Sequence, residues 1–215
     1  MKIKLLGHAS FLITSDTGTK IITDPYATGN GLSYGEITES ADIVTVSHDH
    51  FDHNNVTAIR GEPEIVRENG ISRVKGIEFK GIASYHDETG GHQRGNNIMF
   101  CFEIDGIRVC HLGDLGHLLN NKQISEIGAV DILLIPVGGY YTIDAKVATQ
   151  VCSQLKPKVI IPMHFQTDKC TFPITGVDDF LKGKERVTRL GTSERNFTAE
   201  ELPASTQIIV FRSAL

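Results

Sequence analysis

The sequence has no run of basic residues, and its net charge is -5 with a pI near 6.0. That balance argues against a general binder of nucleic acid or of anionic membrane, which needs clustered Lys and Arg. No apolar stretch approaches the ~20 residues that span a bilayer. Met1-Lys2 leads into short apolar runs broken at Gly7-His8, with no signal-peptide pattern. The cysteines Cys101, Cys110, Cys152 and Cys170 form no C-x-x-C pair. Three sit in apolar surroundings and read as buried reduced thiols, which sets the expected location in the cytoplasm. No linker, low-complexity segment or charged tail divides the chain. A single domain over residues 1–215 is expected.

What the chain does have is Ser47-His48-Asp49-His50-Phe51-Asp52-His53. It follows Ala41-Asp42-Ile43-Val44-Thr45-Val46, an apolar run that reads as a buried strand. Residues two apart on an extended chain face the same side. His48 and His50 therefore aim at one point, and Asp52 and His53 at a neighbouring one. Imidazole nitrogen and carboxylate oxygen at this spacing suit zinc, with iron or manganese as second choices.

Before that stretch, Lys2–Leu6, Phe11–Thr14 and Lys20–Thr23 read as strands, with a turn at Asp16-Thr17-Gly18-Thr19. Tyr26 to Glu39 reads as a loop over the site. After it, Asn54 to Arg60 is expected as a short helix capped by Asn54. Strands are expected at Glu64–Val66, Ser72–Val74 and Ile77–Tyr85, the last ending at His86-Asp87 before a polar glycine-rich loop. Asn97–Ile104 and Ile107–Leu112 flank Asp105-Gly106, a strong hairpin signal. The second of these strands ends at Gly113-Asp114. A helix over residues 121–127, a strand from Asp131 to Pro136, and a helix capped by Asp144 follow, the last with Ala148, Val151, Cys152 and Leu155 on its apolar face. The strand from Lys158 to Pro162 delivers His164. A helix at Val177–Leu181 and a strand at Gln207–Phe211 close the chain. Strands with helices outside them imply layered α/β packing.

His48-x-His50-x-Asp52-His53 at a strand end, with further His and Asp at later strand ends, resembles the metallo-β-lactamase-fold hydrolases. Gly7-His8-Ala9-Ser10, Thr23-Asp24-Pro25, His111-Leu112-Gly113-Asp114 and Pro162-Met163-His164 resemble the branch that includes L-ascorbate-6-phosphate lactonase. The resemblance implies an αββα sandwich: two facing β-sheets with helices on both outer faces. It implies two divalent metal ions, zinc first and manganese or iron as alternatives. His48, His50 and His86 would bind one metal; Asp52, His53 and His164 the other; Asp114 would bridge. His92 and His111 compete with His86 as the third ligand of the first metal, although His111 lies inside an apolar strand and reads as a core histidine with its hydrogen bonds satisfied.

The remaining candidates surround these. Asp24 ends a strand and is expected either to accept the second N–H of a ligating histidine or to serve as a turn aspartate before Pro25. His8 either lines the site, near the cleft as the resemblance implies, or simply fixes a turn. His117 is a candidate proton donor or anion contact, set against a solvated loop histidine. Arg94 and the Gly138-Gly139-Tyr140-Tyr141 loop are candidate substrate contacts. Two dications sharing a water would generate a hydroxide near neutral pH, to attack a carbonyl carbon or a phosphorus, while Asp52 passes a proton. The expected activity is hydrolysis of a small ester, lactone or phosphodiester, with a small-molecule substrate and neither nucleic acid nor membrane as partner. Iron-based redox chemistry on the same scaffold and a non-catalytic metal-dependent binding module are the other readings. Oligomeric state is not legible in the sequence.

Overall fold

Residues two apart on a strand face the same side of a sheet, and that period decides which side chains meet in the middle of this molecule. The structure, a computed structural model, describes residues 1–215. In chain order the strands are β1 (Lys2–Gly7), β2 (Ser10–Thr14), β3 (Lys20–Thr23), β4 (Ile43–Thr45), β5 (Glu64–Val66), β6 (Gly70–Val74), β7 (Ile77–Tyr85), β8 (Asn96–Ile104), β9 (Ile107–His111), β10 (Ile132–Pro136), β11 (Val159–Met163), β12 (Val187–Arg189), β13 (Glu194–Asn196) and β14 (Gln207–Val210). The helices are α1 (Asn121–Ile127), α2 (Ala145–Leu155) and α3 (Val177–Leu181). One sheet has the order β13-β1-β2-β3-β4-β5, the other β12-β14-β11-β10-β9-β8-β7-β6. This is the metallo-β-lactamase fold, an α/β sandwich of two mixed sheets.

In β10, Ile132 and Leu134 face the space between the sheets, and Leu133 and Ile135 face away. The inner layer joins Ile3, Phe11, Ile13 and Ile43 of the first sheet to Phe79, Phe100, Leu134 and Ile161 of the second. Each such buried side chain contributes about 1.5–3 kcal/mol. On the far side of the eight-stranded sheet all three helices bury their apolar faces, Ile127 from α1, Ala148, Val151 and Leu155 from α2, and Val177 and Phe180 from α3. The far side of the six-stranded sheet is covered differently from the expected helix layer. Tyr26, Leu32, Tyr34, Ile37 and Ala41 of the long loop after β3 lie there, so most of that loop covers the sheet and only its Asn30 reaches the cleft described below.

The helix expected from Asn54 to Arg60 is a single 3-10 turn, Val56–Ala58, with no side-chain cap. None of its residues is buried, so no apolar face packs against the fold to extend the turn into a helix. β12 and β13 were not legible either. Both are three-residue edge strands without a buried residue, so neither carries an alternating pattern. The Asp105-Gly106 hairpin is present, with both residues at positive φ (52° and 72°) as a two-residue turn requires. Asn120 and Gln123 form a reciprocal capping box at α1, and Asp144 caps α2 through Val147 N–H. The four cysteines are free. No helix is long and apolar enough to cross a membrane.

β3 and β4 are parallel, and β9, β10 and β11 are parallel. β7 is antiparallel to β8, and β8 to β9, so β7 runs with β9. The carboxyl ends of β3, β4, β7, β9 and β11 therefore meet at one end of the sandwich.

Candidate metal centre

Those five strand ends deliver Asp24, His48 to His53, His86, Asp114 and His164 into one cluster. Asp114 is buried at its centre. Its Oδ1 is 3.2 Å from His53 Nε2, and its Oδ2 is 3.1 Å from His86 Nε2 and 3.2 Å from His164 Nε2. Two groups of donors lie on either side: His48, His50 and His86, and His8, Asp52, His53 and His164, each with its ligating atoms within 4.8 Å of one another.

The local backbone shows why these residues sit so close. Asp24 and His164 both adopt left-handed conformations, at φ 40° and 49°, as does His8 at 54°. Non-glycine residues reach this region at a cost, and such strain collects at functional sites. Gly113 is at φ 55°, and a Cβ there would lie 2.3 Å from Asn97 Oδ1 and 2.6 Å from Ser47 Cβ. Only glycine lets the chain pass between those side chains to place Asp114. Asn97 then fixes it: its Oδ1 accepts from Asp114 N–H, while its Nδ2 donates to Ser84 Oγ and Leu112 O.

Asp24 decides which nitrogen each of two histidines presents. Its carboxylate accepts from Ser47 N–H (2.8 Å), Ser47 Oγ (2.5 Å) and His53 Nδ1 (2.9 Å). The Ser47 hydroxyl proton is thereby committed, so Ser47 Oγ accepts from His48 Nδ1 at 2.9 Å. Both histidines carry a proton on Nδ1 and turn Nε2 toward the cluster. A carboxylate orienting imidazoles in this way is what a metal site requires.

The fit to a metal can be judged from the donors alone. His48 Nε2, His53 Nε2 and Asp114 Oδ1 are buried without a hydrogen-bond partner. Buried polar atoms are normally paired, and here the unpaired ones converge. Burial pushes the His48 imidazole down to about 3, with the neighbouring His53 adding to the effect, which keeps it neutral. Burial works against the charge of Asp114, but His164 and His53 hold its carboxyl well below the usual range. His53 is raised well above the usual histidine range, because Asp114 and Asp52 outweigh its burial. Its extra proton lies where the carboxylates call for a cation. Neutral imidazoles and ionised carboxylates are the ligand forms for zinc, manganese or iron.

Other sequence-level candidates fall differently. Both nitrogens of His111 are used: Nε2 donates to Ala9 O, and Nδ1 accepts from Gly113 N–H. It is a core histidine. His92 is exposed on the loop before β8 and joins no donor group. His117 is a correction: its Nε2 accepts from Tyr85 N–H, its Nδ1 donates to Leu118 O, and it does not line the cleft. Tyr140 is 64% exposed and lines a neighbouring cavity with His86 and Arg94, while Tyr141 of the same loop lines the cleft itself. His8 lies closer than expected, with Nε2 3.3 Å from Asp52 Oδ2 and its ring 4.1 Å from that of His164. Burial pushes its imidazole down to about 4, and His164 adds to the push.

Above the donors is a cleft of about 510 Å³, lined among others by His50, Asp52, His86, Asp114, His164 and Arg94. This is the scale of a small-molecule site. Phe51, Phe172 and Tyr141 form an aromatic wall, with Phe172 meeting Phe51 at 6.4 Å and Tyr141 at 5.7 Å. Sequence reasoning reached Tyr141 through its loop but missed Phe51 and Phe172 as lining residues, and it missed Asp87. That buried carboxylate accepts from Thr89 N–H and Oγ1 and from the N–H groups of Gly91, Gln93 and Arg94. Burial opposes its charge, but these hydrogen bonds, led by Arg94 N–H, hold its carboxyl below the ordinary range. The available signal was an acid placed directly between a strand-end histidine and a glycine-rich loop.

The profile of the beta-lactamase superfamily domain matches residues 2–164. The chain is 33% identical over 213 residues to a UPF0173 metal-dependent hydrolase of Archaeoglobus fulgidus, covering 85% of this chain and 90% of that protein. It is 33% identical to a UPF0173 metal-dependent hydrolase of Carboxydothermus hydrogenoformans, covering 83% and 88%. A solved metallo-β-lactamase superfamily structure from Thermotoga maritima superposes with a TM-score of 0.81 at 38% identity, over 98% of this chain and 97% of that one.

Proposed function

The chain belongs to the metallo-β-lactamase superfamily and, within it, to the UPF0173 metal-dependent hydrolases; on that premise we propose that it hydrolyses a small ester, lactone or phosphodiester with two divalent metal ions. The observation that carries this reading is Asp114, whose two carboxylate oxygens reach histidines of both donor groups. His48, His50 and His86 would hold one ion, and Asp52, His53 and His164 the other, with Asp114 between them. Zinc fits the nitrogen-rich donor set best, and the Thermotoga maritima relative is named as a candidate Zn-dependent hydrolase.

When bound, two such ions supply an acidified water and positive charge for a developing oxyanion. The chain's own residues do the rest. Asp24 and Ser47 keep the Nε2 atoms of His53 and His48 turned inward. Asp52 offers a carboxylate oxygen at the cleft beside His8, placed to take up a proton. Phe51, Tyr141 and Phe172 exclude water from one side of the substrate. The lactonase-like motifs Gly7-His8-Ala9-Ser10 and Pro162-Met163-His164 favour a lactone or sugar-phosphate-like substrate within this class.

The test is a hydrolysis screen of the zinc-reconstituted protein on lactone, carboxylic ester and phosphodiester substrates, with and without chelator. Chelator-sensitive turnover of one class is expected. No turnover of any class by fully loaded protein contradicts the reading.

A further inference from the structure

A second cavity, of about 370 Å³, adjoins the cleft and shares Asp49, His50 and Arg94 with it. Arg67, just past the end of β5, lines it as well, together with Asn54 and Asn96. The arginine ion pairs in this molecule are those of Arg73, Arg108 and Arg189. Neither Arg67 nor Arg94 is in one. Asp49, the carboxylate of this cavity, has its Oδ1 engaged by Asn54 Nδ2 at 2.5 Å.

Arg94 is also positioned with care. Asp87 takes its backbone N–H at 2.8 Å and that of Gln93 at 2.9 Å, which fixes the loop at that point. Asp87 is saturated by five such bonds and does not pair with the guanidinium. The guanidinium carbon lies over the Tyr141 ring at 5.7 Å, a cation–π contact, and none of the guanidinium N–H groups is in a hydrogen bond within the chain. A planar fork of donors held this way matches a carboxylate or phosphate. In a chain of net charge -5, two guanidiniums without acidic partners at one cavity make a local site for an anion.

We propose that this cavity, through Arg94 and Arg67, binds a compact oxyanion group, carboxylate or phosphate, that the substrate carries away from its scissile bond. The inference rests on the hydrolase reading above and narrows its substrate to anionic molecules. The scissile bond lies over Asp114 in the larger cleft while the anionic group reaches past His50 into the smaller cavity.

The experiment compares kcat and KM of the zinc-loaded protein on two matched esters, nitrophenyl hemisuccinate, with a remote carboxylate, and neutral nitrophenyl butyrate. Wild type, Arg94→Ala, Arg94→Lys and Arg67→Ala are measured, each with its melting temperature. The hemisuccinate is expected to be preferred by about tenfold in kcat/KM. Arg94→Ala is expected to lose about tenfold more on the hemisuccinate than on the butyrate, mainly in KM, with partial recovery in Arg94→Lys. Equal handling of the two esters by wild type, or equal losses in the variants, overturns the inference. If neither ester is turned over, the hydrolase reading is what has failed. The anion site is then read by calorimetric titration of succinate and of inorganic phosphate. Binding that weakens in both Arg94→Ala and Arg67→Ala supports the site and shows which oxyanion it prefers; binding unchanged in both, or none at all, overturns it.

Discussion

The Asp24 carboxylate lies 2.9 Å from His53 Nδ1, and this bond turns His53 Nε2 toward Asp114, 3.2 Å away. The same carboxylate reaches His48 through the Ser47 hydroxyl. One buried acid that is not itself among the seven proposed ligands thus orients a ligand from each donor group.

Asp24→Ala should therefore weaken metal binding by about 10–100-fold. Competition with a chromophoric chelator measures it, and circular dichroism checks that the fold persists. Unchanged affinity would mean that the two imidazoles hold their orientation without Asp24.

His86 and His111 should behave oppositely. His86→Ala removes a proposed donor 3.1 Å from Asp114 Oδ2 and should lower the metal-to-chain ratio. His111→Ala strips partners from Ala9 O and Gly113 N–H, so it should cost about 1–3 kcal/mol of stability while leaving metal content intact. Elemental analysis and urea unfolding separate the two. Metal loss in His111→Ala with none in His86→Ala would exchange their roles.

Gly113→Ala places a Cβ 2.3 Å from Asn97 Oδ1 at a positive φ. Overpacking and backbone strain together should destabilise by about 2–4 kcal/mol. Asp114 would move with its backbone, so metal affinity should fall as well. Urea unfolding that matches wild type would show that the Ser47–Asn97 passage is looser than described.

Asp131 provides a pH prediction remote from the metal donors. Burial opposes its charge, but Arg108 and then Lys158 pull its carboxyl down to about 2. A carboxyl depressed in the folded state stabilises fully above its unfolded pKa, and that contribution is lost as pH falls through its folded value. Wild type should thus lose about 1–2 kcal/mol through this group between roughly pH 4 and pH 2, discounted because Arg108 and Lys158 are half exposed. Asp131→Asn should flatten that part of the stability–pH curve. Urea midpoints across the range measure it, and an identical slope in the variant would remove Asp131 as a cause.

The sheet cores were legible because β10 and β11 are continuous apolar runs, and β7, β8 and β9 are set by one hairpin and a strand-end histidine. The strand-end positions of His48 to His53, His86, Asp114 and His164 could be read for the same reason, since each follows an apolar run. What escaped depends on contacts between residues far apart in sequence. Phe172 joins Phe51 only in the fold, and Arg67 meets Arg94 only across a cavity. The roles of His117 and Tyr140 were left open because a side chain's direction out of a loop follows from its backbone conformation, which composition does not show. His117 spends both nitrogens on backbone groups, and Tyr140 leaves from a left-handed residue at φ 61°.

The central claim is that Asp114 stands between two metal ions, the second held in part by Asp52. Elemental analysis of reconstituted, desalted protein tests it most directly. Wild type should retain close to two divalent ions per chain, and Asp52→Ala close to one while remaining folded. No retained metal in wild type, or the same ratio in both proteins, would contradict the account.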